Sequence, residues 1–224
     1  MIMGKLIVLE GTDGSGKSTQ FALLKKRLED EGTVFHTLVF PRYNEPSSSL
    51  IRMYLQGEFG TEPGDVNAYA ASIFYAVDRY ASYRMDWLDW YAKGGLILSD
   101  RYTTSNAVHQ GAKVSDEERP AFFRWLCELE YEKMGLPRPD LVLYLDMPTE
   151  LTESLMRKRE NATNTHADIH EKDLNYLRHC RKTGLEAAGA LGWTVISCAR
   201  DGKIRSIEDI HEELYQTIKR CLEE

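Results

Sequence analysis

The stretch KLIVLEGTDGSGKSTQFALLKKRLEDEG, Lys5–Gly32, joins an aliphatic run to a row of apolar residues through a loop rich in glycine and serine. LIVL at 6–9 reads as a buried strand. Phe21, Leu24 and Leu28 share one face of a helix, and Gly32 stands just past its end. Between them lies Gly11-x4-Gly16-Lys17-Ser18, the Walker A spacing, with a strand before it and a helix after it. Glycines let successive backbone N–H groups turn inward around phosphate oxygens, and the helix N-terminus adds donors and a favourable dipole. The loop Gly11, Thr12, Asp13, Gly14, Ser15, Gly16, Lys17, Ser18 and Thr19 is therefore expected to cradle the phosphates of a nucleotide. Lys17 supplies a compact positive charge for the β- and γ-phosphates, and the Ser18 hydroxyl is a ligand for Mg²⁺.

Working outward, aliphatic runs recur at VFHTLVF (34–40), GLILS (95–99), DLVLYLD (140–146) and WTVISC (193–198), separated by helix-period segments. Near-continuous apolar runs alternating with helices predict an α/β fold with a parallel sheet and right-handed crossovers. A long helical stretch is expected from about 65 to 93, carrying Ala70, Ile73, Phe74 and Val77 and stopping at Gly94-Gly95. Pro137 and Pro139 read as the entry turn of the fourth strand. No repeat or linker interrupts the chain, so one domain is expected over 1–224. The least apolar stretch, RKRENATNTHADIHEKD (157–173), has the composition of a surface flap.

With 224 residues and 42% hydrophobic content, the chain can bury one sizeable core. A net charge of −7 argues against nucleic-acid binding, so an anionic ligand must be held by locally placed arginines and lysines. No run suits a membrane span or a secretory signal. Cys127, Cys180, Cys198 and Cys221 are scattered without a C-x-x-C pair, as expected of reduced thiols in a cytoplasmic protein.

In open α/β sheets the site lies beyond the carboxyl ends of the strands. Phe40-Pro41-Arg42 follows the second strand, Asp100-Arg101-Tyr102 the third, and Asp146 ends the fourth. Asp100 and Asp146 compete for the metal; Asp100 is preferred because Arg101 beside it suits a phosphate-handling turn, whereas Met147-Pro148 reads as helix entry. Arginines usually end in surface ion pairs. Arg42 and Arg101 at strand ends nevertheless suit a second phosphate, which guanidinium forks bind bidentately. Tyr75 and Arg79 share a helix face, as a base-stacking ring and an edge donor would, although the same spacing arises from packing. A GTPase switch would carry N-K-x-D and D-x-x-G; neither stands where it should.

LEGTDGSGKSTQ, FPR (40–42), FYAVDR (74–79), DRYTTSNAVHQGAK (100–113), GLPRPDLVLYLDMP (135–148) and ADIHEKD (167–173) together resemble the thymidylate kinase family, from about Lys5 to Leu214. The resemblance implies a three-layer α/β/α P-loop NTPase fold with a five-stranded parallel sheet and a short lid at about 157–170. It also implies transfer of the γ-phosphoryl of ATP, with Mg²⁺, to dTMP, usually by a homodimer. Asp13 would lie near the acceptor sugar and the metal, Phe40 on the acceptor side, and Arg42 and Arg101 on the acceptor phosphate. Tyr75, taken over Phe74 because it precedes Arg79 by four, would stack on the base; Ser105 and Asn106 would face it.

Two departures stand out. Some members place an arginine after the loop aspartate, where this chain has Gly14, so the transition-state cation is expected from Arg157 or Arg159 in the lid. His109 replaces a tyrosine set against the deoxyribose, and either loosens that filter or fills the same space. The His166/His170 pair has zinc spacing but reads better as flap, Glu10 as structural, and CARDGK (198–203) as a possible border of the adenine. Alternatives are a kinase for dUMP, UMP or CMP, a deoxynucleoside kinase, or a non-catalytic nucleotide-binding regulator.

Overall fold

The apolar run after Lys5 becomes the central strand of a sheet, β1 (Lys5–Gly11), buried from Leu6 onward as a strand covered on both faces must be. β3 (Leu96–Asp100) pairs with it on one side and β4 (Leu141–Asp146) on the other. β2 (Phe35–Val39) lies outside β3 and β5 (Thr194–Ser197) outside β4, so the order is β2-β3-β1-β4-β5. Every pairing in this sheet is parallel. The computed structural model describes residues 3–62, 64–152 and 174–223. The register sets Leu9 beside Asp100, Val39 beside Asp100 and Gly11 beside Leu145. The carboxyl ends of four strands therefore meet along one edge, where the phosphate loop begins.

Alternate residues of each strand face opposite layers. Ile7, Leu9, Leu98, Leu143 and Leu145 pack under Phe21, Leu24 and Leu28 of α1 (Lys17–Asp30) and under Ile210, Leu214 and Ile218 of the C-terminal helix Ile207–Glu223. Leu6, Val8, Ile97 and Val142 face Tyr83, Trp87, Tyr91 and Tyr102.

The long helix predicted over 65–93 departs from expectation in its middle. It starts at Asn67, whose side chain accepts from the Ala70 N–H, and runs as an α-helix over Ala68–Ser82. A π turn over Tyr83–Trp87 follows, and then a last α-helical turn, Leu88–Ala92. The buried aromatics Tyr83, Trp87 and Tyr91 are spaced by four, and a 3.6-residue helix would carry such a row progressively off the sheet. The wider turn keeps all three rings on it. A second unforeseen piece is a hairpin of Ala199–Arg200 and Lys203–Ile204. Asp201 and Gly202, with φ of 52° and 72°, form its turn, so CARDGK is a β-ribbon.

The helix Leu174–Leu191 crosses β4 at Gly184. A Cβ there would fall 2.3 Å from the Tyr144 hydroxyl oxygen and 2.5 Å from the ring carbon that bears it. Tyr144 is fully buried against Trp193, Val108 and Cys180 and has no room to retreat. Glycine to alanine inside a helix ordinarily stabilises by ~1 kcal/mol. Gly184→Ala is expected to reverse that sign and lower the unfolding free energy by about 1–3 kcal/mol, measured by urea denaturation.

Candidate active site

The loop after β1 is built for an anion. A Cβ on Gly11 would meet the Ser15 hydroxyl at 2.7 Å and the Leu145 carbonyl at 3.1 Å, so only glycine lets the loop turn this tightly over β4. Gly14 and Gly16 take left-handed φ of 77° and 86°. Gly16 precedes α1 without any side-chain cap. Lys17 is buried; its burial holds the ammonium pKa below the ordinary lysine range, and the nearby charge of Arg101 adds to this. Asp100, Asp13 and Glu10 oppose that shift. Ser15, Ser18, Thr19 and Asp100 line this loop's cavity, and the Ser15 hydroxyl and Asp100 Oδ1 are buried there without a hydrogen-bond partner among the described residues. Asp146, the rival of Asp100, is held by Arg181 at 2.7 and 3.0 Å and serves as its ion-pair partner. Among the described residues no cluster of three or more His, Cys, Asp or Glu could hold a metal. Ser18 and Asp100 thus fit an ion that draws most of its ligands from phosphates and water.

A second cavity adjoins the first. Phe40, Tyr75, Arg79, Ser105, Asn106 and His109 line it, along with Leu55, Tyr102 and Gln110. Asp13, Phe40, Pro41, Tyr43 and Arg101 belong to the walls of both cavities. Arg101 is the hinge between them. Its φ of 67° is left-handed, an uncommon state for a residue with a side chain, and its N–H donates to the Leu9 carbonyl at 3.0 Å. One arm of the guanidinium donates to Asp13. The other donates to His109 Nε2 at 3.0 Å and lies 3.8 Å from Glu10 Oε1. Burial opposes the charge on Arg101, but Asp13, Glu10 and Asp100 outweigh it and raise the pKa. A guanidinium can only donate, so His109 Nε2 accepts and its proton is assigned to Nδ1, 3.6 Å from the Cys180 sulfur. Glu10 is fully buried and accepts from the Gly11 N–H, the Thr104 hydroxyl and the Ser105 hydroxyl, which makes it a structural hub.

Not every expected residue joins these walls. Arg42 lies outside both: its guanidinium donates to Asp78 at 3.3 Å, to Asp86 and to the Ser47 hydroxyl at 3.1 Å. Asp78, fully buried, also accepts from the Arg42 N–H at 2.9 Å, so this arginine is anchored as an ion-pair partner. Phe74 packs against Tyr54 and Phe59, while Tyr75 is the member of the pair that lines the cavity. Arg157, Arg159, His166, His170 and the lid at 157–170 lie outside the described residues.

Glu130 went unforeseen. It is fully buried and grips Arg79 with both oxygens, at 2.6 and 2.5 Å. Burial works against the Arg79 charge, but the Glu130 carboxylate more than offsets it, so its pKa rises. In sequence, ELEYEK at 128–133 looks like a solvated helix face. The π turn it adopts swings Glu130 inward, and no periodicity would have shown this. Gln110, also buried, was missed for want of any motif.

Comparison with known proteins agrees with this geometry. The family described as thymidylate kinase matches residues 9–214. A probable thymidylate kinase of Pyrococcus horikoshii is 32% identical over 223 residues, covering 98% of each chain. One from Pyrobaculum aerophilum is 29% identical over 216 residues, covering 96% of this chain and 97% of its own. The solved structure of the Candida albicans thymidylate kinase superposes with a TM-score of 0.71 at 21% identity, covering 97% of this chain and 92% of its own. It shares the fold. The family match spans the phosphate loop, both cavities and the sheet that carries them except the first residues of β1, and the chain belongs to the thymidylate kinase family.

Proposed function

We propose that the protein transfers the γ-phosphoryl group of ATP to dTMP, giving dTDP. The observation that carries this reading is the shared wall: Arg101 and Asp13 border both cavities, so a triphosphate in the glycine loop and a monophosphate in the second cavity would meet end to end. Lys17 and the loop N–H groups receive the β- and γ-phosphates of ATP. Arg101 turns from Asp13 toward the acceptor phosphate, Tyr75 and Phe40 hold the base, and Ser105, Asn106 and His109 close the base and sugar side. Arg42 joins the phosphate by exchanging its exposed partner Asp86 for it.

A phosphate oxygen of dTMP is already anionic near neutral pH, so no side chain need act as a base. That separates this reading from a deoxynucleoside kinase, which must deprotonate a neutral hydroxyl. Mg²⁺ held by Ser18 and Asp100 would neutralise charge on the β- and γ-phosphates. Arg157 or Arg159 of the lid would supply the remaining positive charge and close the site to water.

In this reading the chain is one domain with its lid at about 157–170, working in the cytoplasm, where its free cysteines stay reduced. No helix among the described residues is long and apolar enough to cross a membrane. Tyr69, Ile73, Val77 and Tyr80 are each more than 40% exposed and form an apolar stripe along the helix Ala68–Ser82. A second copy of the chain covering this stripe would make a homodimer.

Two measurements test these statements. ADP release is expected with dTMP, and far less with thymidine, UMP, CMP or AMP as acceptor; a better acceptor than dTMP would overturn the assignment. In the same assay Arg101→Ala should lose roughly 10²–10³-fold in kcat while the KM for ATP stays within about threefold, and Arg101→Lys should recover only part of the loss. Val77→Asp is expected to halve the mass in sedimentation equilibrium, and an unchanged mass would rule out this interface.

A further inference from the structure

The inner end of the second cavity carries a polarity that the sequence does not announce. Asn106 lines this cavity, and its Nδ2 donates to the Ser72 carbonyl at 3.0 Å and to Glu130 Oε1 at 3.2 Å. Both partners only accept, so the amide is assigned with its nitrogen inward. Asn106 Oδ1 has no partner among the described residues and is not sealed from the cavity, which leaves an acceptor for a ligand. Arg79 lines the same end and gives Nε and Nη2 to Glu130. Its Nη1 has no hydrogen bond among the described residues and remains as a donor. Glu130 also accepts from the Thr103 hydroxyl at 2.9 Å, so both of its oxygens are saturated by donors.

We infer that Glu130 is a positioning residue: by accepting from Arg79 and Asn106 together, it sets one donor beside one acceptor at the base end of the cavity and so selects thymine-like over cytosine-like bases. A thymine or uracil ring offers an N3–H donor next to an O4 acceptor, complementary to Asn106 Oδ1 and Arg79 Nη1. Cytosine offers the reverse, a bare N3 next to an amino group, and meets a like partner at both positions. In a buried pocket each mismatch leaves polar groups unpaired, the strongest basis for discrimination that binding alone provides. This inference rests on the proposed dTMP kinase reading and deepens it, since without Glu130 only the Ser72 carbonyl opposes a flip of the Asn106 amide.

Glu130→Gln tests it with a side chain of equal shape. The new amide can donate toward Asn106, invite its oxygen inward and turn its nitrogen to the cavity. Steady-state kinetics with dTMP and with dCMP, at saturating ATP, are compared between wild type and variant. The ratio of kcat/KM for dTMP over dCMP is expected to fall at least tenfold, mainly through a raised KM for dTMP, with the KM for ATP within twofold. A purely structural role would slow both acceptors by one factor; an unchanged ratio overturns the inference while leaving the kinase reading intact. Wild-type enzyme that uses no pyrimidine monophosphate overturns the kinase reading itself. Where Glu130→Gln does not fold, Glu130→Asp retains the charge but withdraws the carboxylate, lengthening the 3.2 Å contact first, and the ratio should still fall severalfold. In wild-type enzyme without nucleotide, the Asn106 side-chain amide protons should exchange slowly by NMR, and rapid exchange would equally overturn it.

Discussion

One partly buried cation organises this molecule's working edge. The Arg101 guanidinium stands among Asp13, Glu10 and His109, and its own N–H is bonded to the carbonyl of Leu9 in the central strand. Removing such a charge from water is costly unless partners surround it, and here they come from the phosphate loop, the end of β1 and the segment after β3. The left-handed backbone at Arg101 lets the chain leave β3 toward that loop. Phosphate loop and second cavity are thus registered to each other through one side chain.

The surrounding charges explain how an acidic protein handles two anions. Net charge is −7, yet the buried Lys17 lies near the partly buried Arg101 and each destabilises the other's charge. Glu10, Asp13 and Asp100 hold that strain in check without a ligand. Incoming phosphates would take over part of their role. The Ser15 hydroxyl and Asp100 oxygen, buried without a partner among the described residues, are where a bound phosphate or ion would restore lost hydrogen bonds.

Much of this could be read from residues alone, because the features concerned are local. Strand β1, the glycine turn and α1 declare themselves by period and spacing within Lys5–Asp30. The parallel sheet followed from the alternation of apolar runs with helices. What escaped was set by packing between distant segments. The partners of Arg42 could not be read: Asp78 and Asp86, on a helix and a π turn far along the chain, accept from its guanidinium. Glu130 was invisible because its fate depends on a π turn that rotates one residue of a charged run into the core. Insertions of this kind, also present at Tyr83–Trp87 and Asn106–Gln110, obey no 3.6-residue pattern, and each of these three turns places a residue of this site or its surroundings.

The account stands or falls on two nucleotides meeting at Arg101. A dinucleoside polyphosphate joining adenosine to thymidine through five phosphates spans both cavities in one molecule, and its affinity can be compared by titration calorimetry with those of ADP and dTMP. Binding at least a hundredfold tighter than either half, with the advantage lost in Arg101→Ala, is the predicted result. Affinity no better than that of ADP alone would mean that the two cavities do not form one continuous site.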